Sequence, residues 1–200
     1  MKLYLIRHGE TDWNKLEKCQ GISDIPLNSR GISQAKELAY SLRDEKISAI
    51  YSSDLSRAIT TANEVAKYHP FEVKIDERFR EMDQGEFEGI EFRNLREKYG
   101  EVLKKWTEEP ETLRIPGGET LGEVQERAWS GINNLKNLHN GESVLLVSHN
   151  MTIITLLCKF SKKSLLSFRE FSVKESSKSV ISCKNDIFEI ELFNDISHLN

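Results

Sequence analysis

Two arginines and two histidines in this sequence stand where an anion could be handled. Arg7 and His8 follow directly on the apolar run Leu3 to Ile6 and precede Gly9, and His149 follows the apolar run of Ser143 to Ser148. Arg57 comes shortly after a third such run, which ends at Ser52 and Ser53. A guanidinium presents a planar fork of N–H donors that matches phosphate oxygens, and an unprotonated imidazole is a nucleophile. Short apolar runs that stop abruptly in polar residues are the signature of buried strands, and ligands bind beyond the carboxyl ends of strands in open α/β sheets. If the three strands are neighbours, two imidazoles and two guanidiniums converge on one spot. Such uncompensated positive charge makes little sense as packing and good sense as a receptor for a phosphoryl group. Each histidine taken alone could simply cap or pack locally, but that reading must then hold separately at three strand ends.

The elements needed to position these residues can be read in order. Thr11 to Pro26 has no sustained period and reads as a long loop carrying Trp13, Asn14, Cys19, Gln20 and Gly21; a loop that long inside a compact domain is usually functional. Asn28 can cap a helix with Ile32, Ala35, Leu38, Ala39 and Leu42 inward, and Ile47 to Ser52 follows as a second strand, which opens a β-α-β unit. Ser53 or Asp54 is placed to cap the next helix, with Leu55, Ala58, Ile59, Ala62 and Val65 inward. Arg57 falls in its first turn. A cation there opposes the helix macrodipole, so a bound anion is favoured over a surface salt bridge to Asp54.

Phe71 to Ile75 reads as a short strand, and the acidic stretch Glu77 to Gly89 as irregular and too polar for core. Glu91 to Trp106 is helical in pattern, with Phe92, Leu95, Tyr99, Val102, Leu103 and Trp106 as apolar positions and a break near Gly100. Thr120 and Glu123 form a capping box for a long helix whose stripe is Leu121, Val124, Ala128, Ile132 and Leu135. Ser143 to Ser148 reads as a central parallel strand, Met151 to Phe160 as a buried helix, and Ser161 to Lys178 as polar and unassigned. Val180 to Cys183 and Ile187 to Phe193 read as a closing hairpin of edge strands.

Composition bounds what such a chain can be. Two hundred residues without a Pro/Gly/Ser-rich linker suit a single domain spanning 1–200. Twenty-eight Lys and Arg against 32 Asp and Glu argue against a nucleic-acid surface and require any phosphate to be held locally. Cys19, Cys158 and Cys183 are odd in number and lack metal-ligand spacing, which suits reduced thiols in a cytoplasm. No apolar run approaches the roughly 20 residues that span a bilayer, so no membrane partner is expected.

In combination these segments resemble the histidine phosphatase superfamily, which includes cofactor-dependent phosphoglycerate mutase and small phosphatases such as α-ribazole phosphatase. Leu5-Ile-Arg-His-Gly-Glu-Thr11 with Trp13-Asn14 is similar to its signature, and Ser52-Ser-Asp-Leu-Ser-Arg-Ala58 with Thr61-Ala62 to its second block. Arg80 to Gly89, Pro116-Gly-Gly-Glu-Thr120 and Val147-Ser-His149 resemble the remaining blocks, so the likeness runs from about residue 3 to about residue 157. Asn150 departs from the pattern, standing where the family usually has Gly. A backbone amide there could still serve, since Asn tolerates left-handed geometry better than most residues.

The resemblance implies a three-layer α/β/α fold with a mostly parallel mixed sheet, phosphoglycerate mutase-like. It implies His8 as the residue that takes the phosphoryl group, with Arg7, Arg57 and His149 on its oxygens and Glu81 as proton donor. Asn14 would join the pocket, and Gln20, Gly21 and Asn150 are the further candidates for substrate contact. Glu77, Asp83, Glu86 and Glu88 are rival acids, and only the resemblance singles out Glu81. Fixed cations beside an imidazole favour its unprotonated form and neutralise charge on the transferring group, so no metal and no cofactor is implied. The expected partner is a small phosphorylated metabolite, with a homodimer left open. A metal-independent phosphomonoesterase leads; a phosphomutase and an inactive phospho-ligand-binding member are the alternatives.

Overall fold

The fold, taken from a computed structural model that describes residues 1–199, is built on one six-stranded sheet. Its strands are β1 (Lys2–Arg7), β2 (Ala49–Ser52), β3 (Val73–Ile75), β4 (Ser143–Ser148), β5 (Lys178–Lys184) and β6 (Ile187–Asp195), in the spatial order β3-β2-β4-β1-β5-β6. The first four in that order run parallel, and β5 is antiparallel to both β1 and β6. Arg7 is paired with Ser148 and Ser52 with Val147, so β1, β4 and β2 finish side by side.

Both central strands are apolar on both faces because helices cover both sides. Leu3, Leu5, Val144 and Leu146 belong to one cluster, with Val124, Ala128 and Ile132 of α5 (Leu121–Leu138) and Leu156 and Leu157 of α6 (Asn150–Phe160). Tyr4, Ile6, Leu145 and Val147 point the other way into a cluster with Leu38 and Ala39 of α2 (Ser29–Ser41) and Ala58, Ala62 and Val65 of α3 (Ser56–Ala66). This is the alternation of a strand sandwiched between two helical layers. The expected three-layer architecture with a mostly parallel sheet is therefore present.

Several local expectations change. The stretch from Thr11 to Pro26 is not all loop: α1 (Asp12–Lys15) is one helical turn closed by a capping box between Thr11 and Asn14. In α2 the inward position is Gly31 rather than Ile32, which is 37% exposed; a side chain at Gly31 would sit 2.1 Å from the Glu10 carbonyl oxygen, so backbone contact sets the helix phase. Neither Ser53 nor Asp54 caps α3. Asp24 does so from a distance in sequence, accepting from Ser56 N and Ser56 Oγ at 2.8 Å, while Asp54 pairs with Arg80.

The stretch from Glu77 to Gly89 is not simply polar surface, because Phe79, Met82 and Phe87 are fully buried between two 3₁₀ turns. In α4 (Phe92–Glu108) the break falls at Tyr99, one residue before Gly100, and Phe92 is exposed. Of the terminal hairpin only β6 is an edge, since β5 is paired on both sides, and the third strand begins at Val73 rather than Phe71. The three cysteines are buried free thiols. No helix is long and apolar enough to cross a membrane among the described residues.

Candidate active site

β1 ends at Arg7, and the chain turns outward through His8 and Gly9. Gly9 is required by close approach: a Cβ there would lie 2.5 Å from the Gly31 carbonyl oxygen. His8 is 2% exposed, and its Nδ1 lies 2.7 Å from the Gly9 carbonyl oxygen. A carbonyl can only accept, so Nδ1 carries the proton and Nε2 is the nitrogen with a free lone pair. Burial holds this imidazole well below its usual protonation range, with Arg57 and then Arg7 adding to the effect. It is therefore unprotonated near neutrality.

Arg57 is fully buried in the first turn of α3. Its Nη1 donates to Ser23 O at 2.8 Å and Nη2 to Gly21 O at 2.7 Å. Gln20 accepts from Nε at 2.6 Å in the amide orientation that also satisfies Thr11. Burial lowers Arg57 to about 10, which leaves it charged at neutral pH. The loop it holds is clamped from behind by Glu88, which accepts from Ile22 N and Ser23 N at 2.8 Å and from Ser23 Oγ. Gly21 has φ of +55°, and a side chain there would collide with the Glu88 carboxylate. Gln20 and Gly21 thus line the cavity chiefly as holders of Arg57.

His149 is fully buried as the N-cap of α6, its ring centroid 5.0 Å from that of His8. Its Nε2 lies 2.6 Å from Ser53 Oγ. The Ser53 hydroxyl also receives a long bond from Leu55 N, so it is free to donate to Nε2 and leave the proton of His149 on Nδ1. That Nδ1 and the Nε of Arg7 are buried and unpartnered among the described residues. Buried N–H groups are ordinarily satisfied, and two such donors beside an imidazole lone pair are what an incoming phosphoryl group would complete.

Glu81 is held against the start of α6. Its Oε1 accepts from Met151 N at 3.1 Å and Thr152 N at 3.3 Å, and its Oε2 has only a 3.3 Å contact to Met151 N. Its backbone is fixed by Arg127 of α5, which donates to Arg78 O, Arg80 O and Glu81 O at 2.7–2.9 Å and pairs with Glu119. The rival acids are committed elsewhere: Glu88 to the Ser23 loop, Asp83 to Gly85 N, Glu86 to Tyr99, and Glu77 near Arg80 on the surface. Among these five acids, Glu81 is the one that is buried and lines the cavity. Asn14 and Asn150 line it as well, but Asn14 Oδ1 is occupied by Thr11. Asn150 is an ordinary first helical residue, not left-handed, so its tolerance of that geometry is not used.

Four residues of this neighbourhood are not singled out by sequence: Ser53 as the partner of His149, Arg127 as the anchor of Glu81, and Val173 and Glu175 as partners of Arg7. Arg7 Nη1 donates to Val173 O at 2.6 Å and Nη2 pairs with Glu175 at 2.8 Å. Ser176 N donates to His8 O and Arg7 N to Ser177 O, so this part of the polar stretch before β5 is a fixed wall of the site. Together with α4 it encloses a cavity of about 1010 Å³ that opens from Arg7 and Glu81 towards Leu103 and Phe168.

Residues 3–196 match the model of the histidine phosphatase superfamily, branch 1. Phosphoserine phosphatase 1 of Hydrogenobacter thermophilus is 36% identical over 181 residues, covering 90% of this chain and 86% of the relative. The probable phosphoglycerate mutase GpmB of Proteus mirabilis is 32% identical over 204 residues, covering 100% and 95%. Among solved structures, Bacillus stearothermophilus YhfR superimposes with a TM-score of 0.93 at 30% identity, over 100% of this chain and 99% of that one. A mutant phosphoserine phosphatase of Entamoeba histolytica in complex with phosphoserine superimposes with a TM-score of 0.91 at 28% identity, over the same shares of the two chains.

Proposed function

The chain belongs to branch 1 of the histidine phosphatase superfamily and is a phosphatase of that kind, and from this premise we propose that His8 Nε2 takes the phosphoryl group of a small phosphorylated metabolite and passes it to water. The observation that carries the reading is the buried arrangement of one unprotonated imidazole between two charged guanidiniums. His8 Nδ1–H is steadied by Gly9 O, so Nε2 attacks phosphorus as the ester bond breaks. Arg7 Nε–H and His149 Nδ1–H receive the equatorial oxygens, where charge gathers in transfer, and the guanidinium of Arg57 adds its positive charge. Glu81 gives its proton to the leaving alkoxide and then takes one from the water that attacks the phosphohistidine. Inorganic phosphate leaves and the starting state returns.

Rapid quench with labelled aryl phosphate tests the reading. It should trap an acid-labile, base-stable phosphoenzyme that is absent from His8→Ala, and a full burst in that variant would overturn the assignment. Turnover should also survive dialysis against EDTA, because the positive charge here belongs to guanidiniums. A screen of phosphorylated metabolites then identifies the substrate, with phosphoserine its first arm because two relatives are named for it.

The GpmB relative supports a second reading, a mutase returning the phosphoryl group to an organic acid. Such an enzyme must keep water from its phosphoenzyme. The cavity here is large and reaches Arg7, the neighbour of His8, which leaves room for water and favours hydrolysis. Interconversion of 3-phosphoglycerate and 2-phosphoglycerate, primed by 2,3-bisphosphoglycerate and faster than any phosphate release, would reverse the preference.

A further inference from the structure

We propose that Glu175 selects the substrate, favouring phosphomonoesters that carry an ammonium group close to the ester oxygen and disfavouring those with a carboxylate there. The inference rests on the phosphatase reading, because it takes the phosphate position from Arg7 and His8. Arg7 spends both terminal nitrogens on the wall of the site, Nη1 on Val173 O and Nη2 on Glu175, so the edge bearing Nε is the one left for phosphate. A phosphoryl group on that edge would share one guanidinium with the Glu175 carboxylate. The carboxylate cannot drift away. Ser176, in left-handed geometry with φ of +58°, donates to His8 O at 3.0 Å, Ser177 O accepts from Arg7 N, and Val173 is buried on the other side.

An anion fixed so close to a bound dianion is repulsive. If its task were only to neutralise and aim Arg7, it would not need to face the cavity. Instead the Glu175 side chain is 32% exposed and lines the cavity that the leaving alcohol must occupy. One carboxylate oxygen, Oε1, is committed to Arg7, which leaves the other for the substrate. A cationic donor on the second carbon of the alcohol would bridge phosphate and Glu175 and cancel the repulsion. A hydroxyl would answer it only in part, and a carboxylate would add to it.

Three substrates that share one backbone and differ only at the end test this: 2-aminoethyl phosphate, 2-hydroxyethyl phosphate and 2-phosphoglycolate, each normalised to the same enzyme's turnover of p-nitrophenyl phosphate. The expected wild-type order in kcat/KM is ammonium, then hydroxyl, then carboxylate, with the extremes separated by at least about tenfold, the scale of one charge-assisted hydrogen bond. Glu175→Gln should collapse that spread, lowering the ammonium substrate and raising the carboxylate one, chiefly through KM. A uniform loss on all three would mean that Glu175 only positions Arg7 and would overturn the proposal, as would a wild-type preference for phosphoglycolate or failure to hydrolyse any of the three. The wild-type order needs no variant, so poor folding of Glu175→Gln leaves the test intact. Absence of p-nitrophenyl phosphate turnover in the wild type would instead strike the phosphatase reading.

Discussion

Ser53 Oγ lies 2.6 Å from Nε2 of His149, and both residues are wholly buried. The contact determines which nitrogen of His149 carries the proton and so whether Nδ1 faces a phosphoryl oxygen as a donor or as a repelling lone pair. Ser53→Ala should lower kcat about five- to tenfold, the worth of roughly one hydrogen bond lost in the transition state. The nitrogen chemical shifts of His149 should move from a pure Nδ1–H pattern to a mixture of tautomers. A rate loss with an unchanged tautomer would assign Ser53 to packing alone.

The difference between Ser53 and His8 shows what a linear reading can reach. His8, Arg7, Arg57 and His149 were legible because each ends or follows a short apolar run, and parallel strands must finish at one edge. Ser53 sits in the same motif, yet its position before a helix reads equally well as a cap; only the crossing of β2 beside β4 puts it on His149. Arg127 and Glu175 give no signal at all. The first looks like a solvated helix residue until the chain of Glu81 is laid across it. The second lies in a polar stretch whose shape depends on being bonded to β1, which lies about 170 residues earlier. Phase errors such as Ile32 have the same origin, since backbone contact with Glu10 decided the helix face where apolar count could not.

Glu81 and Glu88 should part company under substitution. Glu81→Gln should slow alkyl phosphates by about 10² to 10⁴ while sparing aryl phosphates that leave without a proton. Glu88→Gln, which loosens the loop behind Arg57, should raise KM for both kinds of ester alike. The ratio of alkyl to aryl kcat/KM reads this directly; the opposite pattern would exchange the two roles.

The depressed basicity of His8 has a signed consequence. Burial is the first cause and Arg57 the second, so Arg57→Gln should raise the His8 titration only part of the way back towards 6.5. In the wild type the unfolded chain takes up protons below the ordinary imidazole range while folded His8 and His149 do not. Their contribution to stability is therefore complete above about pH 6.5 and is lost as pH falls from there through the folded values. NMR titration of His8 in phosphate-free buffer, alongside urea midpoints between pH 7 and 5, checks both statements. A His8 transition near 6.5 in the wild type would contradict them.

Two helical glycines should respond to alanine with opposite signs. Glycine inside a helix is ordinarily about 0.5–1 kcal/mol worse than alanine, so each substitution begins with a gain. At Gly131 of α5 a Cβ would lie 2.5 Å from the ring of Phe79, which is fully buried and has nowhere to retreat. Overpacking of a closed core costs about 1–3 kcal/mol, so the clash outweighs the helical gain and Gly131→Ala should be destabilised by about 1–2 kcal/mol. The disturbance should reach the chemistry too, because the Phe79 carbonyl accepts from Ser148 Oγ at 2.8 Å and Glu81 follows two residues later. Gly100 of α4 has no atom within 4 Å of its Cβ position and no left-handed backbone, so Gly100→Ala should gain about 0.5 kcal/mol by narrowing the unfolded ensemble. Urea midpoints that rise for both variants would show that α5 can shift to accommodate the methyl group, and the packing of Phe79 would then no longer explain why glycine is needed at position 131.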